Sequence, residues 1–263
     1  MLGKKIIAGV LIAGFTSLWG AAGILNSPHD LSGIVWSGTA TEDNGETCVY
    51  CHTPHAANTA FDGAPLWNKD SAVATANNAF VLYGATAAGT QGVTIAGTAV
   101  GNTGGVVNAP SMACLSCHDG VSAVNSIVNA PGAGFSAGGD GLVGDTATPI
   151  TDALLLNNAL ADLGNAGVDL SNDHPISVPY PVGGTAATNP ASLILSTTTL
   201  SGTWAGASTI DDLLRTTSGV AYVECGSCHD PHNGADSFIA GESVYFLRTS
   251  NAGSALCIGC HEK

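Results

Sequence analysis

Cys225-Gly-Ser-Cys228-His229-Asp230-Pro231-His232 packs two thiols and two imidazoles into eight positions, with a proline just ahead of the second histidine. Its first five residues, C-x-x-C-H, recur as Cys48-Val-Tyr-Cys51-His52, Cys114-Leu-Ser-Cys117-His118 and Cys257-Ile-Gly-Cys260-His261. Together the four motifs use all eight cysteines of the 263-residue chain. Two thiols at this spacing add across the vinyl groups of a haem, and the histidine that follows is placed to ligate the iron. The sequence therefore predicts four haem c groups, attached through Cys48, Cys51, Cys114, Cys117, Cys225, Cys228, Cys257 and Cys260. The proximal iron ligands are His52, His118, His229 and His261.

Other uses of paired cysteines account for less. Structural disulfides give no reason for a histidine after every second cysteine. Zinc knuckles pair two cysteine motifs at a regular spacing, whereas these motifs start 66, 111 and 32 residues apart. A redox C-x-x-C is expected once, on a βαβ pattern that the chain lacks.

Eight histidines are present, and four are spent in the motifs. The others, His29, His55, His174 and His232, equal the number of second axial positions and are read as distal iron ligands. They also recur in matching contexts. Each half of the chain reads free histidine, C-x-x-C-H-x-P-H, C-x-x-C-H: His29, Cys48 to His55 and Cys114 to His118, then His174, Cys225 to His232 and Cys257 to His261. The chain reads as two dihaem modules in tandem.

The x-P-H extension limits where its histidine can go. Three extended residues span about 10 Å, barely the path from one face of a macrocycle round its rim to the other. Proline also disfavours helical backbone at the residue before it. His232 and His55 are therefore expected to ligate a neighbouring haem and draw two macrocycles together. Within each module, the order in which the free histidine and the x-P-H histidine serve the two irons stays open.

The N-terminal residues MLGKKIIAGVLIAGFTSLWGAAG carry two lysines, an apolar run and small residues, the order of a secretory leader. The run is short for a membrane span, and an exported chain without a span in its mature form is expected. Loss of residues 1–23 removes Lys4 and Lys5 and no acid, so the formal charge of −14 becomes −16, four basic residues against twenty acidic. Nucleic acid is excluded as a partner, because binding it needs a basic surface. With 35 glycines, 6% aromatic residues and 10% charged ones, the chain is poor material for a large side-chain core.

The expected fold is mostly irregular, with a few short helices, little strand and the haem array as the core of a multihaem cytochrome c. Helix signals begin at Ser71, at Thr151 (closed by Gly164) and at Ser208, whose capping-box partner is Asp211 and whose helix closes at Gly219. Residues 84–112, rich in Gly, Thr and Val, fit a short hairpin, and 130–150 a loop. The organisation predicted is a leader at 1–23, a first dihaem module at 24–130, a loop-rich connection with a short helix at 131–165, and a second dihaem module at 166–263.

Two histidines per iron leave no position for a substrate, which points to electron transfer by hopping between haems and away from enzymatic activity. Methionine ligation has one weak candidate, Met112, immediately ahead of a motif.

SPHDLSG (27–33), the CHTPH and CHDPH stretches, NDHPISVPY (172–180) and the four C-x-x-C-H sites resemble tetrahaem outer-surface c-type cytochromes of metal-reducing bacteria, some of which polymerise into extracellular nanowire filaments. The resemblance spans the motif order from His29 to His261 and leaves the Gly/Ala/Thr-rich stretches between unmatched. It implies self-association into an end-to-end haem wire at the cell surface or outside the cell, with His29 as candidate ligand to a haem of the neighbouring subunit. Redox proteins or extracellular metal acceptors would be the partners. A monomeric periplasmic shuttle would carry the same ligands, and a multihaem reductase would need an open haem site.

Overall fold

The computed structural model describes residues 23–25, 27–32, 47–61, 63–69, 80, 82–83, 94–95, 98–99, 106–118, 127–129, 170, 174–181, 193–233 and 246–262. The leader up to residue 22, the loop expected at 130–150 and the helix expected from Thr151 lie outside them. Of the helix expected from Ser71, Phe80, Leu82 and Tyr83 are described, and none is helical.

Regular structure among the described residues is sparse, as the composition predicts. Strands β1 (Thr94–Ile95) and β2 (Thr98–Ala99) pair antiparallel within the stretch read as a hairpin. That stretch ends earlier than expected, because residues 109–112 already belong to helix α1 (Ala109–His118), which carries the second motif. The Asn108 carbonyl accepts the Met112 amide at 2.9 Å. Pro110 sits in the first turn, where its missing N–H costs nothing. Ser111, Met112, Leu115 and Ser116 form the buried face.

Strand β3 (Val178–Pro179) precedes helix α2 (Ile210–Leu213), strands β4 (Arg215–Thr217) and β5 (Val220–Val223), helix α3 (Cys225–Cys228) and helix α4 (Ala255–Ile258). The helix predicted to run from Ser208 to Gly219 is cut to four residues. Its cap lies one residue further on: the Asp212 carboxylate accepts the Ser208 and Thr209 amides at 2.9 and 2.8 Å and the Thr209 hydroxyl at 3.0 Å. Beyond Leu214 the β-branched Thr216 and Thr217 enter a strand, and Ser218 and Gly219, both at positive φ (51° and 81°), close a tight hairpin. Such a turn matches the twist of paired strands, so Gly219 ends a strand rather than a helix. The sheet order is β3-β5-β4, all antiparallel, with Pro179 on an edge strand, where its lack of a donor is tolerated.

Two small apolar clusters flank this sheet. Phe61, Phe80, Leu82, Val107, Met112, Ala113, Leu115 and Leu170 form one, joined at its border by Trp67 and Ile176. Tyr180, Leu200, Trp204, Ile210, Leu213, Leu214 and Ala221 form the other, with Leu256 and Cys260 against it. The second motif enters the first cluster through Leu115, and the fourth meets the other through Cys260.

Candidate haem sites

The motifs share one local geometry. In three of them the histidine amide donates to the carbonyl of the first cysteine: His52 to Cys48 at 2.9 Å, His229 to Cys225 at 3.0 Å and His261 to Cys257 at 3.0 Å. The fourth lies in the last turns of α1. One helical turn brings both thiols and the imidazole to one side of the chain, as C-x-x-C-H attachment requires. Beyond the third motif the chain straightens, with His229 at φ −113° and ψ 143°. Asp230 donates its amide to Phe246 at 2.8 Å, and Arg248 donates its own to Cys228 at 2.9 Å. Pro231 disfavours helical backbone at Asp230, and the Asn233 amide closes a turn on the Asp230 carbonyl at 3.0 Å.

Buried polar groups bind the motifs to one another. Asn68, fully buried, donates its side-chain amide to the carbonyls of Val49 (2.7 Å) and Asn129 (3.1 Å). Its Oδ1 accepts the Asn129 amide (2.9 Å), and its own amide donates to Cys51 (2.8 Å). Trp67 Nε1 donates to Ser116 Oγ inside the second motif at 3.1 Å. Glu224, 1% exposed and immediately ahead of Cys225, accepts Asn108 Nδ2 at 2.7 Å, Ser177 Oγ at 3.0 Å and the Ser111 hydroxyl. Ser111 Oγ in turn accepts the Cys225 amide at 2.9 Å. Cys114 and Cys225, from different motifs, are close enough to hydrogen bond, which raises the Cys114 thiol's proton affinity.

Three pairs of imidazoles face each other. Ring centroids are 6.1 Å apart for His29 and His118, 6.1 Å for His52 and His232, and 6.4 Å for His174 and His261. A metal ion lies about 2 Å from an imidazole nitrogen, and the ring centre is about 1 Å beyond it, so two imidazoles on opposite sides of one ion have centroids about 6 Å apart. The observed spacings leave room for one metal between each pair.

The outer nitrogens carry the complementary signature. Nδ1 of His52 lies 2.8 Å from the Pro65 carbonyl, Nδ1 of His174 lies 2.9 Å from that of Pro175, and Nδ1 of His29 lies 3.5 Å from that of Pro231. A carbonyl holds the proton on Nδ1 and leaves Nε2 as the free donor, the arrangement usual for metal-binding histidine. His232 Nδ1 faces Asp230 Oδ1 at 3.7 Å, and Arg248 holds the other carboxylate oxygen at 3.6 Å. His118 Nδ1 is buried with no hydrogen-bond partner. These rings fit haem iron.

Burial favours the neutral form of four of the histidines. His118 is pushed down to about 4 by desolvation and by the neighbouring His29 and His229. Desolvation also lowers His29, His174 and His229. Burial pushes the thiols of Cys51 up to about 12 and Cys228 up to about 11. Metal ligation requires neutral imidazole, and burial favours that form at His29, His118, His174 and His229.

The structure thus brings six of the eight predicted axial histidines into pairs. His55 is exposed, and its carbonyl accepts Thr53 Oγ1 and Asn129 Nδ2, both at 3.0 Å. His229 lies near His29 and His118. His29, expected to reach a neighbouring subunit, stands against His118 of its own chain, stacked on Phe246 at 4.0 Å. A side chain at Gly23 would collide with the His232 carbonyl at 1.7 Å, so the N-terminal arm runs close along that backbone. His232 faces His52 across the proposed module boundary. Met112, the one methionine candidate, is 4% exposed in the first apolar cluster. Sequence reasoning did not find Phe246, Glu224 or Asn68; none lies in a repeated motif, and their roles arise from long-range packing.

No curated protein matches the chain. Residues 218–263 match the family model of the doubled CXXCH motif, which takes in β5 and the third and fourth motifs. That match identifies a c-type haem-binding segment and supports a c-type cytochrome acting in electron transfer.

Proposed function

We propose that the chain is an electron carrier holding four haem c groups, each iron between two imidazoles. The observation that carries this reading is the spacing of three histidine pairs, 6.1, 6.1 and 6.4 Å between ring centres, together with Nδ1 atoms turned to carbonyls. Bound haem supplies an iron that accepts and releases one electron, and strong ligands on both faces leave it no substrate position. The chain's own residues attach the cofactor through paired thiols, favour neutral imidazole at His29, His118, His174 and His229 by burial and fix the motifs close together through Asn68, Trp67–Ser116 and Glu224. Short spacing between sites is what hopping needs. We read the protein as non-enzymatic on this basis.

Export with residues 1–23 as a leader, and a place outside the cell, complete the proposal. The family resemblance supports assembly into filaments that carry electrons over long range. The position of His29 within its own chain favours a subunit junction built on other residues, and equally suits the second reading, a monomeric periplasmic shuttle. Intact-mass measurement of the secreted protein should show four covalent haems, with low-spin EPR for all of them. Fewer haems, or a high-spin population that binds carbon monoxide as a reductase would, overturns the carrier reading. Electron microscopy and size-exclusion chromatography separate filament from shuttle.

A further inference from the structure

We infer that the two halves of the duplicated chain exchange axial histidines: His232 of the second half serves the site at Cys48 and Cys51, and His55 of the first half serves the site at Cys225 and Cys228. This rests on reading the paired rings as iron ligands. Two of the three observed pairs are duplicates of one another. His29 faces His118 and His174 faces His261, so in each half the free histidine meets the last motif of that half, with edge-on rings at 76° and 65°. The remaining pair, His52 and His232, joins the first motif of one half to the x-P-H histidine of the other, with nearly parallel rings at 15°. Its counterpart under the duplication is His229 with His55, the two histidines the other pairs leave over.

The backbone around His232 agrees. His229 itself is extended, a turn closed by the Asn233 amide on the Asp230 carbonyl at 3.0 Å then presents His232, and the first half meets that turn, with His29 Nδ1 approaching the Pro231 carbonyl. At the same junction Asn108 and Ser111 bind Glu224 beside Cys225. His55 sits on an equally constrained turn. Asn129 Nδ2 lies 3.0 Å from the His55 carbonyl and 3.2 Å from that of Ala56, which has a positive φ of 52°. Exchange leaves neither half able to saturate its own irons, so the dihaem halves are interlocked rather than strung in tandem.

The test uses full-length holoprotein and reads spin state. His232→Ala should convert one haem in four to high spin, and His55→Ala should do the same. If neither variant produces a high-spin component, the axial-ligand reading itself fails. Adding Cys48→Ala and Cys51→Ala to the His232→Ala variant removes the haem at the first motif, and the three remaining should all be low-spin. Likewise Cys225→Ala and Cys228→Ala should abolish the high-spin signal of His55→Ala. A high-spin signal that survives the matching cysteine deletion leaves the ligand reading intact and overturns the exchange. Where the cysteine variants do not accumulate, an experimental structure of the wild-type holoprotein decides: His52 with His232 and His229 with His55 on common irons support the exchange, and any other pairing of these four overturns it.

Discussion

The Phe246 ring lies flat against the His29 imidazole, with centroids 4.0 Å and planes 16° apart. Phe246 is 8% exposed and has a positive φ of 65°, a conformation costly for a bulky residue and held here by the strand-like contact with Asp230. The stack fixes the plane of His29 at 76° to that of His118.

Phe246→Ala should free the His29 ring to rotate. The low-spin EPR signal of one haem should shift or broaden, because g anisotropy depends on the angle between axial imidazole planes. Folding stability should drop by roughly 3 kcal/mol. Phe246→Trp should keep the signal near its wild-type position. An unchanged EPR spectrum in Phe246→Ala would show that the stack does not set the ring angle.

Glu224 joins the second and third motifs through three hydrogen bonds, from Asn108 just ahead of α1, Ser111 in its first turn and Ser177. Glu224→Ala leaves those donors buried without an acceptor and should cost on the order of 3 kcal/mol. Burial outweighs the hydrogen bonds and raises the pKa of the folded carboxyl above its ordinary value. The folded state therefore binds the proton more tightly than the unfolded one. This contribution is full below the ordinary carboxylate pKa and is lost as pH rises through the folded value. Glu224→Gln should flatten that slope in denaturant midpoints measured across mildly acidic pH; an identical slope would remove Glu224 as its source.

Much of this site was readable because the chemistry of haem attachment is written in local spacing: all eight cysteines and all eight histidines fall in a duplicated pattern. Ring pairing was not readable, because His52 and His232 are far apart in sequence and nothing in either segment names the other. The α2–β4–β5 region was misread for a local reason. Ser208, Asp211 and Gly219 mimic helix boundaries, while Thr216, Thr217 and the Ser218-Gly219 turn favour a hairpin, and burial of Ile210, Leu213 and Ala221 in one cluster decides between them. The sparse regular structure of the described residues follows the composition.

Asp230 distinguishes the two x-P-H histidines. Its carboxylate faces His232 Nδ1, whereas the equivalent Thr53 hydroxyl donates to the His55 carbonyl. The His232 hydrogen bond, more than Arg248, lowers the Asp230 pKa, so the group is charged at neutral pH. A carboxylate beside the ligand's outer nitrogen strengthens its donation to iron. Asp230→Asn should raise the potential of one haem by tens of millivolts, on the order of one kilocalorie per mole for a one-electron couple. Arg248 stays anchored by the Gly226 and Ala205 carbonyls at 2.8 and 2.7 Å, so the fold should survive. Four unchanged midpoints in spectroelectrochemical titration would deny Asp230 this role.

Acid should detach His118, His29 and His174 late. A free histidine protonates near pH 6.5, but His118 is held down to about 4 by burial and by its histidine neighbours, and His29 and His174 are lowered for the same first reason. Because the folded pKa is depressed, the neutral ring favours the folded state fully above 6.5, and that stability drains away as pH falls toward 4, amounting to about 3 kcal/mol for His118. Iron on Nε2 competes with the proton and pushes ligand loss lower still. The haem that His118 serves should therefore stay low-spin in the oxidised holoprotein from pH 8 to pH 5, with its high-spin signal appearing at or below about pH 4. High-spin conversion centred near pH 6.5 that His118→Ala removes would mean that the His118 ring is open to solvent and not enclosed with its partner.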